Sequence, residues 1–394
     1  MYSPFQPLLL RHGNKVFQLT LYMKYYILAG EASGDLHASN LMKAIKTQDP
    51  EAEFRAWGGD LMQQQGATLV KHINELAFMG FLEVALNIRT ILHNIKLCKS
   101  DILAYQPDAI IFIDYPGFNL RIAEFAKKNN FRTIYYISPQ VWAWHKSRVQ
   151  KIRRDIDKML VILPFEEEFY ARYNYPVEFV GHPLLDALQG HDSQQQASAF
   201  RQRHALSQAP IIALLPGSRK QEIAKMLKTM SEVSEHFPGY QFVIAATRAH
   251  TEEFYRKHTS GRPIRILFGE TYNLLQNAHA AMVTSGTATL ETALIGTPQL
   301  VCYKAAFLSY FIAKRLVDIK YISLVNLIMD QEIVKELIQH EFNTTRLVKE
   351  LKNLTENSEY RKSIIDNYTT LRQKLGGSGA SENAAKAITR FLKS

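Results

Sequence analysis

Tyr25-Tyr26-Ile27-Leu28-Ala29-Gly30-Glu31-Ala32-Ser33-Gly34-Asp35 passes from an apolar strand into a small-residue turn that ends in an acid. A second run of the same kind, Ile212-Ala213-Leu214-Leu215-Pro216-Gly217-Ser218-Arg219, lies in the other half of the chain. Each reads as the first strand-to-helix turn of an α/β domain, where small residues let backbone N–H groups approach a ligand. Two such openings predict two nucleotide-binding-type domains facing each other across a central cleft, each holding one substrate.

Outward from these turns, short apolar runs alternate with helical stretches, the pattern of parallel sheets. In the first half, strands are expected near 24–29, 53–57, 108–113, 132–137, 158–163 and 177–180, with helices near 35–47, 81–105, 119–129 and 145–156. The pattern stops at Gly181-His182-Pro183, before the polar stretch Gln189 to Gln196. It restarts with strands near 211–215, 241–246, 264–267, 280–284 and 299–303, then reads as mostly helical. The expected domains are therefore 23–183 and 184–375. Gly376-Gly377-Ser378-Gly379 is a flexible break before a last helix within 376–394, which either crosses back to the first domain or pairs with a second copy in a homodimer. Met23-Lys24 stands directly before the first strand, so residues 1–22 read as an upstream extension without fixed structure.

A chain of 394 residues exceeds one ordinary core, and two domains of about 150–200 residues are the natural expectation. Hydrophobic content of 46% and charged content of 21% are those of a soluble globular protein. Cys98 and Cys302 stand far apart and outside any C-x-x-C pattern, which argues against a disulfide framework or zinc site. The net charge of +10 fits nucleic acid, anionic membrane or a phosphorylated substrate. No nucleic-acid-binding signature accompanies it, so nucleic acid is set aside. No apolar run approaches the roughly 20 residues of a membrane span.

Several residues carry candidate chemistry. Ser33 and Gly34 stand where a helix N-terminus would bind phosphate, while Asp35 either joins them or caps the helix. The spacing is not G-x-G-x-x-G, which argues against NAD. Asp114 ends the strand Asp108 to Ile113 and is followed by the turn Tyr115-Pro116-Gly117-Phe118-Asn119. A carboxylate there is either a general base at the ligand end of the sheet or a turn-forming acid. Gly217, Ser218 and Arg219 supply backbone donors, a hydroxyl and a guanidinium suited to a pyrophosphate. Ser285-Gly286-Thr287 forms a third small-residue turn, and Glu291 beyond it either accepts bonds from a ribose diol or answers the helix dipole. Phe78, Met79, Phe81 and Leu82 are too crowded to share one buried helix face, so some are expected to meet acyl chains or a bilayer. The stretch Trp142 to Arg154 interleaves aromatic and basic residues and is either a solvated basic face or an anionic-lipid surface.

Taken in order, the motifs resemble the lipid-A-disaccharide synthase family. Those that carry the likeness are Ala29 to Asp35, Phe78-Met79-Gly80, Asp114 to Asn119, Ser138-Pro139-Gln140-Val141-Trp142-Ala143-Trp144, Leu163-Pro164-Phe165-Glu166, Gly181-His182-Pro183, Leu215 to Arg219, Ser285-Gly286-Thr287-Ala288 and Ser323-Leu324-Val325-Asn326-Leu327. Gly117 stands where the likeness leads one to expect an acid. The resemblance implies two Rossmann-like domains in the GT-B arrangement and an inverting glycosyl transfer without metal or cofactor. It implies a UDP-2,3-diacylglucosamine donor and a 2,3-diacylglucosamine 1-phosphate acceptor, giving a β-1,6 disaccharide and UDP at the anionic inner-membrane surface. Asp114 and Arg219 would be catalytic. Gly217, Ser218, Ser285, Gly286, Thr287, Glu291 and Asn326 would bind UDP, and Ser33, Gly34, Asp35 and Asn119 the acceptor. A UDP-N-acetylglucosamine 2-epimerase shares the architecture and UDP site but needs no acyl groove. A non-catalytic nucleotide- or lipid-binding module would keep the turns and make no disaccharide.

Overall fold

The computed structural model describes residues 8–12, 15–19, 22–76, 88–143, 148–189, 197–305 and 320–394. The chain divides into two compact units, one of residues 1–183 with 378–394 and one of residues 184–377.

The first unit begins with an antiparallel pair, β1 (Leu8–His12) and β2 (Lys15–Leu19), two strands within the stretch expected to lack fixed structure. Its main elements are β3 (Lys24–Ala29), α1 (Ala32–Lys46), β4 (Glu53–Gly58), α2 (Asp60–Gln64), β5 (Thr68–His72), α3 (Ile88–Tyr105), β6 (Ala109–Ile113) and α4 (Pro116–Lys128). They continue with β7 (Arg132–Tyr136), α5 (Arg148–Asp155), β8 (Lys158–Val161), α6 (Phe165–Ala171) and β9 (Glu178–Phe179). The sheet order is β5-β4-β3-β6-β7-β8-β9, and every pair is parallel. Its central strands are apolar throughout because helices cover both faces. Along β3, Tyr25, Ile27 and Ala29 face the α1 side, while Tyr26 and Leu28 face the side covered by α3, α4 and α5.

The second unit contains β10 (Ile211–Leu215), α7 (Lys220–Glu232), β11 (Gln241–Ala246), β12 (Arg265–Phe268), α8 (Thr271–Asn277), β13 (Ala278–Thr284) and α9 (Thr287–Ile295). It continues with β14 (Gln299–Tyr303), α10 (Leu324–Met329), β15 (Glu336–Ile338), α11 (Thr344–Glu356) and α12 (Ser358–Lys374). Its sheet is also parallel, in the order β12-β11-β10-β13-β14-β15. Both sheets reverse their winding beside the first strand, between β3 and β6 and between β10 and β13. Open α/β sheets bind ligands at the carboxyl ends of strands at such a point.

Besides β1 and β2, two strands lie outside the expected set. β5 is a half-buried edge strand, and β15 has only three residues, so neither shows a long apolar run. The last helix, α13 (Ala380–Lys393), packs on α1 in the first unit and buries Ala384, Ala385, Ala387, Ile388 and Leu392. Arg132 donates to the Leu392 carbonyl at 2.8 Å, and Arg390 pairs with Glu178 at 2.6 Å. Cys98 and Cys302 are buried.

Candidate active site

In the first unit, the pairing of Ala29 with Ile113 sets the turn after β3 beside the turn after β6, at the winding reversal. The Tyr115 ring lies against Gly30 so closely that a Cβ there would stand 2.4 Å from the ring. Only glycine fits this approach. Asp114 and Tyr115 both occupy left-handed backbone, with φ of 43° and 49°. Such strain in non-glycine residues persists only where surrounding structure over-determines it. Here the Asp114 carbonyl accepts from Tyr135 Oη at 2.5 Å and from Asn119 Nδ2 at 2.7 Å. The same Asn119 amide donates to the Leu28 and Ile113 carbonyls, each at 3.3 Å, tying the turn to β3 and β6.

The surface of Asp114 is open to solvent on one side. Protein packed around its carboxyl raises the pKa to about 6, with a smaller contribution from the charge of Glu31. A solvent-reachable carboxyl titrating there is ionised at neutral pH and more basic than an ordinary aspartate, as suits a general base. Ile137, directly after β7, is also left-handed with φ of 66°, a costly conformation for a β-branched side chain.

In the second unit, Leu215 pairs with Val283, so the turn after β10 and the turn after β13 share one sheet edge. Gly217 has φ of 100°, Arg219 opens α7, and both Ser218 and Arg219 are exposed. Gly286 leads into α9, whose first residue, Thr287, is exposed. Ser285 is anchored through its N–H to the Cys302 carbonyl at 2.9 Å and through Oγ to the Ile322 carbonyl at 3.0 Å. Two helix N-termini therefore present donors and positive dipole ends at the winding reversal, an arrangement suited to an anion. Further into α9, Glu291 accepts from Tyr272 Oη at 2.8 Å beside a recess of about 350 Å³ lined by Gly269, Glu270, Thr271 and Asn273. Burial raises the Glu291 carboxyl, and the Tyr272 hydrogen bond opposes that rise.

A family profile described as lipid-A-disaccharide synthetase matches residues 25–390. The chain belongs to that family. Its members condense UDP-diacylglucosamine with diacylglucosamine 1-phosphate in lipid A biosynthesis, and the chain is accordingly a hexosyltransferase. The lipid-A-disaccharide synthase of Syntrophus aciditrophicus is 40% identical over 376 residues, covering 93% of this chain and 98% of the relative. That of Coxiella burnetii is 36% identical over 370 residues, covering 93% and 98%. Among solved structures, the UDP-GlcNAc 2-epimerase of Neisseria meningitidis superposes with a TM-score of 0.63 at 14% identity, covering 94% of this chain and 99% of that one. The kitacinnamycin glycosyltransferase gives 0.64 at 13%, covering 94% and 99%. At such identities the likeness speaks for the fold alone.

Three residues expected at ligands are buried and brace the backbone around them. Asp35 accepts from the Gly59, Leu61 and Met62 N–H groups at 2.8, 3.1 and 3.1 Å, closing the turn between β4 and α2. Asn119 is fully buried and spends its amide on the three carbonyls named above. Asn326 is likewise fully buried. Its Nδ2 donates to the Val334 carbonyl and Glu336, and its Oδ1 accepts from the Ile333 and Val334 N–H groups, all at 2.8–3.0 Å. Asp35 and Asn326 carry both ends of their side chains in these bonds, whereas Asn119 uses only its Nδ2, its Oδ1 being buried with no hydrogen-bond partner. Ser33 is exposed in the first turn of α1, and Gly34 is buried where a Cβ would stand 3.2 Å from Ala29 Cβ.

Phe78, Met79, Phe81 and Leu82 lie outside the described residues, as does Trp144 to Ser147. On α5, Val149 and Ile152 are core, and part of the basic face is already neutralised. Lys151 and Lys128 pair with Glu124 at 3.0 and 3.1 Å and hold its carboxyl down to about 2. Among the described residues no helix is long and apolar enough to cross a membrane. Glu31, Tyr115, Tyr135, Glu222, His250 and Tyr272 join these sites without having been singled out. Glu31 and Tyr115 belong to the motifs given above; the others reach the sheet edge through tertiary packing.

Proposed function

We propose that the second unit binds the UDP of the donor and that Asp114 in the first unit activates the acceptor hydroxyl. The diphosphate would receive backbone N–H groups from the Gly217-Ser218 turn and from the Gly286-Thr287 start of α9. Ser285 shapes that second turn, and Arg219 supplies a full positive charge. Glu291, oriented by Tyr272, would accept from the ribose diol. In the first unit, Ser33 and the exposed first turn of α1 offer donors to the acceptor phosphate.

The chemistry is a single displacement. Asp114 takes the proton of the acceptor 6-hydroxyl as that oxygen attacks the donor anomeric carbon from the face opposite UDP. The new C1–O6 bond forms as the C1–O bond to the β-phosphate breaks, giving a β-1,6 linkage with inversion. UDP leaves with both electrons of that bond, and the helix N-termini and Arg219 stabilise its charge as it develops. Positioned base catalysis contributes about 10²- to 10⁴-fold. Both substrates carry acyl chains, and the net charge is +10. These favour peripheral attachment to an anionic inner membrane, with α5 and the segment holding Phe78, Met79, Phe81 and Leu82 as the contact.

The observation that carries this reading is the exposed carboxyl of Asp114, held in left-handed backbone at the carboxyl end of β6 beside the winding reversal. The test incubates the full chain with UDP-2,3-diacylglucosamine and 2,3-diacylglucosamine 1-phosphate and follows disaccharide 1-phosphate and UDP by mass spectrometry. Both should accumulate in equal amounts, and a chelator should not stop them. Arg219→Ala should weaken UDP binding. Full turnover in both Asp114→Asn and Arg219→Ala would refute the residue assignment.

A further inference from the structure

Ser218 lies in the turn proposed for the diphosphate, yet its backbone already has partners. Its carbonyl accepts from His250 Nε2 at 2.8 Å, so that nitrogen carries the proton. Its N–H donates to Glu222 Oε2 at 3.3 Å. The Glu222 carboxylate is laid over the bare Cα of Gly217, where a Cβ would stand 2.2 Å from the same oxygen. Two features make room for this carboxylate. Gly217 has no side chain, and Glu222 sits in the first turn of α7, where the helix dipole favours an anion.

In a capping box the acid at the third helical position reaches back to the N–H of the capping residue. Arg219 is that residue here, and Glu222 reaches one position further, to Ser218. The carboxylate thus takes a donor that a phosphate oxygen would take. Glu222 and Arg219 also act together on Tyr303 at the end of β14. Burial raises that phenol first, the Glu222 charge raises it further, and Arg219 lowers it.

We infer that Glu222 is a built-in competitor for the donor diphosphate: it occupies the Ser218 N–H when the site is empty, is displaced by the incoming donor, and returns to help UDP leave. The inference rests on the assignment of the diphosphate to this turn. One N–H cannot serve two anions, and two like charges at one helix start repel. Glu222 therefore weakens every ligand that carries the diphosphate and leaves the nucleoside's own contacts untouched. It is a positioning residue that acts through the peptide and makes no bond to the reacting atoms.

The test is calorimetric titration of the full chain with UDP and, separately, with uridine. It compares the unaltered protein with Glu222→Gln, Glu222→Ala and Arg219→Ala, with a thermal melt of each. Glu222→Gln keeps an acceptor for the Ser218 N–H and removes the charge. It should bind UDP about 1.5- to 5-fold more tightly, the scale of one partly exposed like charge, with uridine affinity unchanged. UDP should become a correspondingly stronger product inhibitor. Glu222→Ala should shift UDP affinity in the same direction. Unchanged or weaker UDP binding in both folded variants, with Arg219→Ala still weakening UDP, overturns the competitor role alone. Unchanged UDP binding in Arg219→Ala overturns the diphosphate assignment and this inference with it.

Discussion

Replacing Gly30 by alanine should separate catalysis from stability. The added Cβ would stand 2.4, 2.5 and 2.6 Å from Cγ, Cδ1 and Cδ2 of Tyr115. Carbon atoms rest about 3.5–4.0 Å apart, so the ring must retreat by roughly 1 Å. It has little freedom to do so alone, because it stacks on Phe118 at a centroid distance of 5.8 Å. Its backbone is already left-handed and adjoins Asp114, whose carbonyl is pinned by Tyr135 and Asn119. Overpacking of this kind costs about 1–3 kcal/mol, or a Tm lower by roughly 2–4 °C per kcal/mol in a unit of this size. Moving a catalytic group by about 1 Å costs on the order of 10²-fold in rate. Gly30→Ala should therefore lose about two orders of magnitude in kcat, melt only a few degrees lower, and bind UDP as before. Disaccharide formation, a thermal melt and UDP titration read the three quantities. Gly30→Ala with Tyr115→Ala removes the clashing ring and should regain at least about tenfold over the single variant, since residues in contact couple. Normal kcat in a folded Gly30→Ala, or no gain in the double variant, would refute the coupling of Tyr115 to Asp114.

Asp114→Asn should lower kcat by at least about 10²-fold while leaving UDP affinity intact, and a pH–rate profile should show its cause. The unaltered enzyme should lose kcat/KM below about pH 6 as the base takes up its proton. The folded state holds that proton more tightly than the unfolded chain, whose ordinary value is 3.8. Ionisation of Asp114 therefore costs stability as pH rises between those values, and Asp114→Asn should melt slightly higher at pH 8. Asn326→Ala leaves two buried N–H groups, a carbonyl and Glu336 short of partners and should cost about 2–4 kcal/mol. Its folded fraction should bind UDP normally in titrations below the melt; a selective loss of UDP affinity would restore Asn326 to the ligand. Met79→Ser with Leu82→Ser should reduce binding to anionic vesicles in flotation and raise the KM for acylated substrates. Unaltered flotation, or an unfolded double variant, would remove that segment from the membrane contact.

The parallel α/β character, the two phosphate-type turns and Asp114 at a strand end were legible in the sequence, because apolar runs, small-residue turns and their order are local properties. Strand order is not local. β5 and β15 are short or half-buried, and only pairing with β4 and β14 makes them strands. The fate of the last helix was open for the same reason: its small apolar face fits any complementary surface, and packing on α1 decided which. The sharpest difference concerns Asp35, Asn119 and Asn326. As letters in a motif each resembles a ligand-binding side chain as readily as a brace. In the folded chain all three are buried and bonded to backbone groups from neighbouring turns and strands, with only the Asn119 Oδ1 left without a partner. Asp114 differs in that Tyr135 and Asn119 brace it through its backbone carbonyl, while its side chain stays exposed. Which atoms of a polar residue remain available depends on the partners brought to it from elsewhere in the chain, and only the tertiary structure decides that.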